Sequence, residues 1–112
     1  MDMTDSEDPE ARKRAHYRLG LIDWSRGFLD TSLSHFNRVV ELDPNFYKQQ
    51  VNLRIAEIHY KLDDIEEAQR TLARLEPVMP QKDKFMLYLL RGKCCDKAKQ
   101  YRQAVLEYSK AL

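Results

Sequence analysis

One frame of residues returns along this chain at a fixed spacing, and it constrains the fold more than any other feature. From Leu19 to Pro44 the order is Leu19-Gly20, then Ser32, Phe36, Val39 and Pro44. At an offset of 36 the same places hold Ile55-Ala56, Ala68, Leu72, Leu75 and Pro80, and at 72 they hold Arg91-Gly92, Ala104, Tyr108 and Ala111. Self-similarity at such a period means an array of supersecondary units, none of which can bury its apolar face alone. Between these marks, apolar residues recur at i, i+3, i+4 and i+7, the spacing of one helical face. The fold expected is all-α, with about three helix-turn-helix repeats near 13–46, 49–82 and 85–112, the last one truncated.

Composition narrows the class. A chain of 112 residues suits one domain, and 3 Gly with 4 Pro argue against a loop-rich or all-β fold. No apolar run is long enough to cross a membrane. The opening MDMTDSEDPE is acidic where a signal peptide is basic and then apolar. Cys94 and Cys95 are neighbours, and no other cysteine exists to bridge the fold. Together these place the protein inside the cell, in a reduced compartment. Residues 1–11 carry Asp2, Asp5, Glu7, Asp8 and Glu10 without one base, and they read as a disordered acidic tail ahead of a folded 12–112. The bases that remain in excess are interleaved with acids and lack a recognition motif, so no direct contact with nucleic acid is expected.

The first helix is expected from Pro9 or Glu10 to Arg26, with Gly27 taking the left-handed conformation at its end. Asp30 or Thr31 is expected to cap the second helix, which runs to about Glu41 with Phe36 and Val39 inward and stops before Pro44. In the second repeat Val51, Ile55, Ile58 and Leu62 form one stripe and Ile65, Ala68, Leu72 and Leu75 the next, with Pro77 cutting the latter helix short. The third repeat opens at about Lys84, and its closing helix is expected to turn Tyr101, Ala104, Val105, Tyr108 and Ala111 inward. Small residues at Gly20, Ala56 and Gly92 let each helix approach its partner closely.

Leu19-Gly20, Phe36 and Pro44, with Ala56, Ala68, Tyr88, Gly92, Ala104, Tyr108 and Ala111, make the chain resemble tetratricopeptide repeats over about 13–112. Departures are Asp23, His59 and Cys95 where that pattern prefers an aromatic, and Arg91 where it has leucine. The resemblance implies a right-handed α-solenoid that holds a peptide or partner subunit in a concave groove lined by the first helix of each repeat. On that frame the partner-binding residues are Arg14, Tyr17, Leu21 and Trp24, then Leu53, Glu57 and Tyr60, then Lys93. Arginine beside aromatic residues is the composition of binding hot spots. Co-chaperones of this class clamp a C-terminal carboxylate with Lys, Asn and Arg. The corresponding places here are Tyr17, Leu21, Arg54, Met86 and Leu90, so that clamp is missing.

YRLGLI at Tyr17–Ile22, SLSHF at Ser32–Phe36 and RIAEIHY at Arg54–Tyr60 also resemble the repeat region of UTX-type histone demethylases and the related fungal co-repressor subunit. That resemblance implies a scaffold in a chromatin complex, the nucleus ahead of the cytoplasm, and a fragment of a larger repeat-containing enzyme or co-repressor as an alternative. The demethylase's catalytic jelly roll has no counterpart here.

Nothing in the sequence calls for chemistry. His16, His35 and His59 stand singly without zinc-ligand spacing, His35 outward and the other two in helix packing. Asp63-Asp64 and Glu66-Glu67 sit where caps belong, and Cys94-Cys95 read as buried thiols. No catalytic residue, metal, cofactor, small-molecule substrate or membrane is therefore expected. Val105, Tyr108 and Ala111 have nothing beyond them to cover their side of the last helix, which makes self-association through that helix the alternative to groove binding.

Overall fold

The computed structural model describes residues 8–112, and among them there are six α-helices and no strand. The helices are α1 (Pro9–Ser25), α2 (Leu29–Leu42), α3 (Lys48–Lys61), α4 (Ile65–Leu75), α5 (Lys84–Lys97) and α6 (Tyr101–Ala111). Of the expected acidic tail, residues 1–7 lie outside the described residues, whereas Pro9, Glu10 and Ala11 already form the first turn of α1. Asp8 starts it: its side chain accepts from the Glu10 backbone N–H at 3.0 Å, and Pro9 follows where a missing N–H costs nothing.

The turn inside each helix pair is the same turn three times. Gly27, Asp63 and Lys99 have φ of 80°, 68° and 62°, and they stand one period apart. After each, the next N–H reaches back to a carbonyl five residues earlier. Phe28 donates to Asp23 at 2.9 Å, Asp64 to His59 at 2.8 Å and Gln100 to Cys95 at 2.7 Å. This is the Schellman closure, a left-handed residue satisfying the last carbonyls of one helix. Glycine takes the conformation without cost, while a side chain pays for it. Lys99→Gly is therefore expected to stabilise the protein by about 0.5–1 kcal/mol, read as a higher urea midpoint. Asp63→Gly should gain less, because aspartate tolerates this conformation better and Asp63 also pairs with Lys97 at 3.3 Å.

In the first pair the closure moves the helix start two or three residues earlier than the expected caps, Asp30 or Thr31, suggested. Phe28, Asp64 and Gln100 occupy the N-cap positions of α2, α4 and α6, none with a side-chain cap bond. Thr31 instead donates back to the Phe28 carbonyl at 3.2 Å.

The chain divides into two compact units between Val51 and Asn52, inside α3. In the first, α1 packs on α2. The Ser32 hydroxyl, fully buried, donates to the Gly20 carbonyl at 2.7 Å, and the Phe36 ring lies over Gly20 so closely that an added Cβ would be 2.8 Å from it. Lys13, buried along its stem, holds Glu10 at 2.9 Å and Asp43 at 3.0 Å. Hydrogen bonds to Glu10 and Asp43 raise the Lys13 pKa above 10.5, and the bond from Lys13 lowers that of Asp43 below 3.8. The Lys13 contribution is therefore intact below pH 10.5 and disappears as pH rises through the raised value. The Asp43 contribution is intact above pH 3.8 and disappears as pH falls through the lowered one. Thermal midpoints of Lys13→Met should lose both flanks of this dependence relative to wild type.

In the second unit Ala56, Ala68, Leu72, Leu75, Met79, Leu87, Leu90 and Cys94 form one buried cluster, so α3, α4 and α5 share a core. Pro77 ends α4 as expected. The chain passes through two short 3-10 turns, Glu76–Val78 and Gln81–Asp83, and Met79 between them drops into the core. On α6 the inward face differs from the one expected. Tyr108, one of the residues expected inward, covers Gly92, with its ring 2.6 Å from where a Cβ would stand. Tyr101 and Val105 are 59% and 63% exposed. The inward face follows buried Ala104 and Glu107 with half-buried Tyr108 and Ala111, an i, i+3, i+4, i+7 stripe that contains a carboxylate.

Candidate functional site

The eight residues assigned to a groove fall on the first helices of the pairs and divide between the two units. On α1, Arg14 is exposed, and Tyr17, Leu21 and Trp24 are half-buried. Their spacing of three and four residues sets all four on one helical face. Tyr17 anchors an aromatic cluster. It stacks on Tyr47 at 5.0 Å between centroids and meets Phe46 edge-on at 5.6 Å and Phe36 at 6.3 Å. The Lys13 ammonium lies over the Phe46 ring at 4.5 Å. Tyr47 is 51% exposed and holds a φ of 45°, so the aromatic surface continues from α1 onto the turn before α3. Phe46 and Tyr47 were not among the residues singled out from sequence. Two adjacent aromatics directly after the Pro44 turn were the available signal.

In the second unit the placements differ. Leu53 and Tyr60 pack partly against the apolar core, which makes them walls more than free contacts. Lys97 covers the Tyr60 ring at 5.0 Å. Glu57 is half-buried with Lys61 Nζ at 3.9 Å, and Lys93 is exposed on α5.

The histidines correct the sequence reading. His35 does not face solvent alone: its Nδ1 is 3.0 Å from the Nδ1 of buried His16, and its Nε2 is 3.7 Å from Asp23. One ring nitrogen of the close pair must carry the proton and the other accept it. Helix packing across α1 and α2 makes this pair, and no sequence spacing announces it. His59 Nδ1 lies 3.5 Å from Asp64. Among the described residues no group of three or more His, Cys, Asp or Glu side chains is arranged to hold a metal ion. Burial, with a smaller effect of Cys95, pushes the Cys94 thiol up to about 11, and burial likewise raises Cys95, so both stay protonated near neutral pH. Among the described residues no helix is long and apolar enough to cross a membrane.

Comparison with protein-family models and with curated proteins returns no match.

Proposed function

We propose that the chain is a tetratricopeptide-type module that holds a peptide or partner subunit and performs no catalysis of its own. The observation that carries this reading is the turn repeated three times at one spacing, through Gly27, Asp63 and Lys99. Helix pairs joined in that way are the parts of which peptide-holding solenoids are made. The right-handed solenoid and its concave groove belong to the proposal. So do the roles of Arg14, Tyr17, Leu21, Trp24, Leu53, Glu57, Tyr60 and Lys93 as partner contacts, and residence in a nuclear chromatin complex. The exposed guanidinium of Arg14 on the same helix as the Tyr17–Tyr47 stack supports the choice of α1 as the strongest contact surface.

Affinity purification from nuclear and cytoplasmic extracts tests this reading. Trp24→Ala and Tyr47→Ala should each weaken capture of the enriched partner about tenfold, the loss of a residue worth slightly over 1 kcal/mol. Circular dichroism of both variants should remain helical. Parallel loss of helicity and capture would assign Trp24 to packing.

A second reading has its own observation. Tyr101, Val105 and Leu106 on α6 are each more than half exposed, an apolar face that suits self-association or subunit assembly. Light scattering that finds only monomer at high concentration would remove it.

A further inference from the structure

Where α4, α5 and α6 meet, the second unit has a cleft that contains none of the eight groove residues. Glu107, only 1% exposed, lines it. Glu107 Oε1 accepts from Gln103 Nε2 at 2.7 Å, with Lys110 Nζ at 3.6 Å. Its Oε2 has no hydrogen-bond partner. Arg91 Nε is 3.5 Å away, beyond normal N–H···O reach, and Arg91 Nη1 is committed to Glu76 at 2.6 Å. A buried acceptor left without a donor is unfavourable, more so when it is charged.

The cleft has a volume of about 260 Å³, and Gln69, Arg91, Gln100 and Gln103 line it beside Glu107. One water occupies roughly 30 Å³, so beside the oxygen the cleft has room for a group of several heavy atoms. Charge selects among larger occupants. Glu107 and Glu76 are balanced by Arg91 and Lys110, and Arg91 and Tyr88 hold the Glu76 carboxyl below its usual range against the opposing effect of burial. An ion entering a balanced site loses hydration and gains no net attraction. A neutral group with one N–H donor and one carbonyl acceptor gains on both sides. Gln69 Nε2 lies 3.4 Å from Gln100 Oε1, a long contact that is readily exchanged, and a guanidinium has five N–H donors to share.

We propose that this cleft binds a primary carboxamide, the group carried by asparagine and glutamine side chains. Its NH₂ donates to Glu107 Oε2, and its carbonyl accepts from Gln69 or Arg91. The test is a ¹H–¹⁵N NMR titration of the whole chain with propionamide, run beside propionate and propylammonium of matched size. Propionamide should give saturable shifts at the Gln69 and Gln103 side-chain NH₂ groups and at the Glu107 amide. The two ions should bind at least about tenfold more weakly. Glu107→Gln, which replaces one carboxylate oxygen with an NH₂ donor, and Gln69→Ala, on the half-buried rim, should each weaken the propionamide response about tenfold, while Arg18→Ala, exposed on α1, should leave it unchanged. Saturable binding of either ion equal to that of propionamide overturns the proposal, as does the absence of any saturable shift with propionamide.

Discussion

Phe36→Ala is expected to remove about 3–5 kcal/mol of stability, enough to unfold the first unit of a protein of ordinary stability. Phe36 is fully buried, and its ring fills the space that Gly20 leaves open on α1. Truncation therefore leaves a cavity bounded by helix backbone, which cannot collapse onto a smaller side chain. The ring also supports Tyr17 edge-on, so the aromatic surface formed with Phe46 and Tyr47 should loosen with it. Urea unfolding followed by circular dichroism measures the first effect, and Tyr47 side-chain NMR signals report the second. Phe36→Leu should be milder, and Phe36→Leu with Gly20→Ala milder still, because that pair reproduces what the second repeat already uses. There Leu72 stands at the position of Phe36 and Ala56 at that of Gly20, both fully buried in one cluster.

This pairing of large with small explains why so much of the fold was legible in the sequence. The places of Leu19-Gly20, Ser32 and Phe36 recur at one period because each marks a backbone approach that tolerates few residue types, and helix boundaries followed within two or three residues. What the sequence concealed was decided by packing between helices. Glu107 sits on the buried stripe of α6 although its charge argues for solvent, since Gln103, Arg91 and Lys110 surround it. His16 and His35 read as separate residues because the 3.0 Å contact exists only once α2 lies on α1. Lys99 gave no sign of a left-handed turn, a conformation glycine announces and lysine does not. Of the candidate contact residues, Arg14 and Tyr17 come from the resemblance to tetratricopeptide repeats, which places them on the first helix. Tyr47 belongs to a turn, where no helical period points to it.

Gly92→Ala should destabilise the second unit by about 2 kcal/mol, although alanine is the better helix former. Alanine in place of glycine inside a helix gains about 1 kcal/mol. Against that, the new Cβ would lie 2.6 Å from two atoms of the Tyr108 ring and 2.9 Å from its Cγ, where carbon atoms prefer roughly 3.5–4.0 Å. Because the ring's attachment point is among the crowded atoms, Tyr108 cannot relieve the overlap by moving its far end. Overpacking of this kind costs about 1–3 kcal/mol, and full overlap with a ring root belongs at the upper limit. The overlap wins. Gly92→Ala with Tyr108→Leu should recover most of the loss, since it installs the Ala56 and Leu72 pairing at the third repeat, and a double-mutant cycle in urea would read the coupling directly. If Gly92→Ala alone proves neutral or stabilising, α5 and α6 stand farther apart than the Tyr108 contact requires.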